Sequence, residues 1–173
     1  MAIHLIEAVQ KRLNLPDIQK IAPGTEVASL KCPVTISQVA LVSVLAALYK
    51  LTRTTQGCVA LLLSGENGNW LNLEGAYGKR LPEIIGKVAG YGIADPVATE
   101  QLLRKIANAC LQIIHEELVD NISTESVKDI MSAQRHNILM YAPEDLHLKQ
   151  MLNDSVLDDP INKIGGPVST LVH

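Results

Sequence analysis

The sequence predicts an all-α fold: a compact helical domain built from two related helical units. Three observations predict it. Apolar residues recur at helical spacing along most of the chain. No stretch alternates with the period of two that a half-buried strand shows. Proline or a short oxygen-bearing side chain stands in front of most apolar runs, where a helix start needs it. The chain has 173 residues, a length that suits one domain or two small halves folding together. Hydrophobic residues make up 47% and charged residues 19%, a balance that argues against disorder over most of the length. There is no Phe, one Trp and four Tyr, so the core must be Leu, Ile, Val and Ala, which suit close helix packing.

Ile3 to Leu13 places Ile6, Val9 and Leu13 on one stripe, with Glu7, Lys11 and Arg12 off it, as an amphipathic helix does. Such a helix also suits a membrane surface, but the face of a core is the simpler expectation. Pro16 is expected to start a short second helix that Pro23-Gly24 breaks. Thr35-Ile36-Ser37-Gln38 fits a capping box, in which the Thr35 hydroxyl accepts from a backbone N–H and Gln38 reaches back. The helix then runs to about Leu51, apolar nearly all round and therefore central. A shorter apolar helix is expected from Thr55 to Leu63, then a glycine-rich loop from Ser64 to Gly78.

Leu81 to Ala89 reads as a short helix ended by Gly90-Tyr91-Gly92. Asp95-Pro96 supplies an N-cap and a first-turn proline for a helix reaching about Leu118. Ser123 or Thr124 caps the next, which carries Val127, Ile130, Met131 and Ile138. Pro143 restarts a short helix through Leu152, and Asp159-Pro160 another that Gly165-Gly166-Pro167 stops. The expectation is about seven or eight helices. Val39, Val42, Leu45, Ala46, Leu62, Leu103, Ile106, Cys110, Ile113 and Ile130 should be mostly buried.

The halves of the chain resemble each other. Pro33-Val34 and Gln38 match Pro96-Val97 and Gln101 at one offset, and each stretch opens a long apolar helix. Thr55-Gln56 then parallels Thr124-Glu125, Leu63-Ser64 parallels Met131-Ser132, and Asn69 parallels Asn137. The predicted organisation is a single domain over residues 1–173, with unit one about 3–78, unit two about 81–152 and a tail over 153–173. Neither unit buries its apolar face alone, whereas two stacked units can.

Ser132-Ala133-Gln134-Arg135-His136-Asn137-Ile138-Leu139, followed by Pro143 and Leu146, resembles the YidB-like family of bacterial proteins. Thr54-Thr55-Gln56-Gly57 in the first half looks like the same unit. The resemblance covers roughly residues 3–152. It implies a helical, often duplicated fold in a bacterial protein with a cytoplasmic or peripheral location, and it brings no catalytic residues.

No residue set names a reaction. His115-Glu116-Glu117 lacks the second His of a zincin, and adjacent helix positions point to different faces. His136 and His147 could meet only through tertiary folding, so no metal site is expected. Gly86-Lys87 lacks the order of a phosphate loop, and Ser64 lacks that of a nucleophile elbow. Cys32, Cys58 and Cys110 form no CxxC and read as small buried residues in a reducing compartment. No cofactor is expected. Net charge −3 and few aromatics argue against nucleic acid. The most apolar run, Val39 to Tyr49, is 11 residues, short of the roughly 20 of a membrane span. Met1 to Leu5 lacks the basic start of a secretory signal, so the expected location is cytoplasmic.

Gln134, Arg135 and Asn137 form the densest polar cluster. They are weak candidates for a recognition edge, and the simpler reading has Gln134 and Asn137 holding neighbouring backbone. The leading functional expectation is a non-catalytic interaction or scaffold domain taking a protein partner or a second copy of itself. The alternatives are a binder of an apolar small ligand between the long helices and an enzyme with an unrecognised site.

Overall fold

The computed structural model describes residues 3–21, 34–64, 77–92 and 94–143. These residues form six α-helices and one 3-10 turn, with no strand among them. The helices are α1 (Leu5–Leu13), α2 (Ile36–Leu51), α3 (Thr55–Leu63), α4 (Leu81–Ala89), α5 (Pro96–Glu117) and α6 (Thr124–Tyr141), with the turn at Gly78–Arg80 before α4. The expected helices beginning at Pro143 and Asp159, and most of the glycine-rich loop, lie outside the described residues.

Helix starts follow local chemistry. The Thr35 hydroxyl accepts from the Gln38 N–H at 3.2 Å, Thr54 from Gly57 at 3.0 Å, Asp95 from Ala98 at 2.8 Å and Ser123 from Ser126 at 3.1 Å. Each bond satisfies one of the first-turn N–H groups that have no partner within the helix. α1 ends where Asn14 adopts the left-handed conformation, φ 52°, and its N–H returns to the last turn.

Helix α2 is the hub. It packs against α6, α5 and α4, while α1 lies on α5 and α6, α3 on α6, and α4 on α5. Of its 16 residues, 12 are buried, so it is enclosed on nearly every side. The core is a single aliphatic cluster in which Leu41, Leu45, Leu48, Leu103, Ile106, Leu111 and Ile114 are fully enclosed. Of the expected core positions, Leu62 and Ile130 are half-buried and the rest are buried. Gly57 lets α3 close onto the end of α2: a Cβ there would stand 1.7 Å from the Leu51 carbonyl oxygen. No other residue type fits that approach.

Two local expectations are corrected. Residues 15–21 are not helical. Their backbone bonds go to distant partners instead: the Ile21 N–H donates to the Met140 carbonyl at 2.8 Å, and Gln19 is held by Gln38. The capping box is half made, because the Gln38 side chain turns away from its own helix start. Its Oε1 accepts from the Gln19 N–H at 2.9 Å, and its Nε2 donates to the Gln19 and Tyr141 carbonyls, both at 2.8 Å. A long-range pairing with otherwise unsatisfied backbone displaces the local one.

Candidate interaction surface

Gln134, Arg135 and Asn137 sit on α6, which lies beside α1. Gln134 is 0% exposed. Its Oε1 accepts from the Leu5 N–H at 3.1 Å, and its Nε2 donates to the Ile3 carbonyl at 2.7 Å and the Ile130 carbonyl at 3.1 Å. Asn137 Nδ2 donates to Gln134 Oε1 at 3.4 Å. The start of α1 has no side-chain cap of its own, and Gln134 supplies that function from α6. Arg135 is half-buried on the same helix, and His136 is exposed beside it. Gln134 therefore faces the protein's own backbone rather than solvent. His147 and Asn69 lie outside the described residues.

The ionisable groups of the interior are poor nucleophiles. Burial pushes the Cys110 thiol up to about 12 and the Tyr77 hydroxyl well above its usual 10. Burial also raises the Cys58 thiol, which donates to the Thr52 carbonyl at 3.3 Å. Thiols held protonated in this way are inert at neutral pH. Cys32 lies outside the described residues. Among the described residues, no three His, Cys, Asp or Glu side chains gather closely enough to hold a metal ion. No helix among them is long and apolar enough to cross a membrane.

At the end of α5, His115 and Glu116 point in different directions, as adjacent helix positions must. His115 Nε2 lies 3.1 Å from the Leu61 carbonyl at the end of α3. The Glu116 carboxylate takes both terminal nitrogens of Arg12 from α1, at 2.7 and 3.0 Å. The guanidinium holds this carboxyl below its usual value of 4.5. Three elements thus meet at one end of the molecule: the last turns of α1, α3 and α5. The start of α6 follows directly.

Exposed apolar side chains follow directly on these turns of α3 and α5. Leu63 closes α3 and is 57% exposed, while Val119 and Ile122, in the connection from α5 to α6, are 70% and 71% exposed. Val97, at the opposite end of α5, and Val59 on α3 are the other large apolar side chains left open among the described residues. Single exposed apolar residues are ordinary, whereas a large contiguous apolar patch marks an interaction site. None of the three was singled out from the sequence. The available signal was two branched apolar residues in a predicted loop between acidic ones, Val119 before Asp120 and Ile122 after it.

No family model matches this chain, and neither a curated protein nor a solved structure matches it.

Proposed function

We propose that the chain is a non-catalytic helical interaction module whose contact surface is the end formed by α3, α5 and the α5–α6 connection. The observation that carries this reading is the exposure of Leu63, Val119 and Ile122 at that end. The protein leaves these side chains in water, although each would be worth about 1–2 kcal/mol if enclosed. Apart from Val97, the large apolar side chains of α5 and α6 are buried or half-buried. The buried, protonated thiols agree with a binding role in a reducing cytoplasm rather than with covalent chemistry.

A photo-reactive phenylalanine analogue introduced in cells at Ile122, or at the exposed Gln101 as a control, tests the reading. The expected result is a discrete crosslinked product from position 122 alone. It should disappear when Leu63 and Val119 are both replaced by Ser. Equal crosslinking from both positions, or none from 122, would end the proposal.

The duplicated architecture and the likeness to the YidB-like family belong to the same reading. Each half has a long helix followed by a second one, with side-chain caps at Thr35 and Thr54 in the first and at Asp95 and Ser123 in the second. Residues 33–71 and 96–139 should then superpose with the same helix order and direction. Opposed directions would remove the duplication and leave the module standing.

A further inference from the structure

We infer that the partner taken by this end is a basic amphipathic segment: apolar side chains flanked by Lys or Arg. The inference rests on the interaction reading above and adds the chemistry of the partner. Residues 116–129 carry five carboxylates (Glu116, Glu117, Asp120, Glu125 and Asp129) and one lysine, Lys128, a net −4. The whole chain is −3, so everything outside these 14 residues is net +1. An acidic stretch therefore surrounds Val119 and Ile122 in the sequence, and a second one, residues 144–159, carries the same net −4.

Backbone adds to the same field. α5 has 22 residues and ends at Glu117, so its carbonyl end carries a partial negative charge beside Val119. Arg12 holds Glu116 in a two-pronged pair, and Lys11 stands beside it in the last turn of α1. The exposed carboxylates of Glu117 and Asp120 flank Val119 in the sequence, and Glu125 follows Ile122 by three residues. An apolar contact ringed in this way favours a cationic rim opposite it.

The same charge pattern selects against a second copy of the chain. A two-fold contact places each patch on itself, so Glu117 and Asp120 would face acidic groups. Like charges placed opposite each other across an interface oppose association. Three exposed branched side chains make a small contact. Binding should therefore be weak and transient, with charge setting its rate and salt dependence.

The test uses the full chain and two synthetic amphipathic helical peptides of the same length, one Leu/Lys and one Leu/Glu, with binding mapped by amide NMR shifts. The Leu/Lys peptide should bind at least tenfold more tightly than the Leu/Glu peptide, with shifts centred on residues 117–125. Replacing Glu117 with Gln and Asp120 with Asn together should weaken it at least fivefold. Replacing Glu83 with Gln, on α4, should not. Raising salt from about 0.05 to 0.5 M should weaken binding severalfold, since the screening length falls below the spacing of such charges. Equal binding of both peptides at residues 117–125 would overturn the basic partner and leave the module intact. Leu/Lys shifts spread over other faces would overturn it as well. A concentration-dependent dimer abolished by Ile122→Ser would put a second copy in the site instead. Failure of both peptides together with failure of the crosslinking above would remove both readings.

Discussion

Helices α2 and α5 begin alike and end in different worlds. Both have a side-chain cap, and both match in the sequence through a Pro-Val pair and a glutamine. Yet α2 buries 12 of its 16 residues, whereas α5 buries 9 of 22 and carries an open face with Gln101, Lys105 and Gln112. The matched glutamines diverge most. Gln38 is 1% exposed and holds backbone from two distant segments, while Gln101 is exposed. The lesson is that a helix start is a local event, and the surroundings of a side chain are not. A side-chain cap placed each helix beginning, after Pro33-Val34 in one case and before Pro96-Val97 in the other, so the matched residues stand three positions apart along their helices, and neighbouring elements then decided which became the hub.

The largest effect that sharpens this contrast comes from the shared core. Leu45 on α2 and Ile106 on α5 are both fully enclosed. Replacing either with Ala should cost about 2–5 kcal/mol in urea unfolding. Losses below about 0.5 kcal/mol at both positions would mean that neither lies in a packed interior. Next in size is the glutamine pair. Gln38→Ala removes three hydrogen bonds and strands the buried Tyr141 carbonyl, so a loss of about 2–4 kcal/mol is expected. Gln101→Ala should stay within about 0.5 kcal/mol. Equal losses at the two sites would erase the difference between the helices.

The smallest effect is at the surface. Arg12 lowers the Glu116 carboxyl below 4.5, and both groups are exposed. A carboxyl with a lowered folded-state pKa adds stability above its unfolded value and loses it as pH falls through the folded one. Arg12→Ala should therefore shift the urea midpoint slightly at neutral pH, and the two curves should converge as pH drops below 4.5. Screened surface pairs contribute little, so a large shift that persists in acid would show that Arg12 acts through packing instead.

What the sequence revealed follows the range of the forces involved. Caps at Thr35, Asp95 and Ser123 join residues three apart and were readable, as was the all-round apolar character of α2. The end of α5 was placed within a residue of Glu117. Residues 15–21 were misread as a helix because their hydrogen bonds are made with Gln38 and Met140, far along the chain. Gln134 stood out as a polar residue, and its bonds to Leu5 and Ile3 span 129 and 131 positions, which no local pattern encodes. Val119 and Ile122 escaped notice for the opposite reason. Apolar residues in a short connection look the same in a sequence whether the fold covers them or leaves them open.

The bond from Gln38 to Tyr141 has a consequence for the order in which the chain is made. Its two ends are 103 residues apart, and α2 emerges from the ribosome long before the helix that covers it. At a synthesis rate of roughly 5–20 residues per second, this largely buried helix waits about 5–20 seconds for α6. During that interval α4 and α5, its other packing partners, emerge as well, and the side of α2 that α6 covers is the last to be enclosed. The segment from Val39 to Tyr49 is thus the place where a chaperone of nascent chains would hold the protein, and release would follow the arrival of α6 and Tyr141.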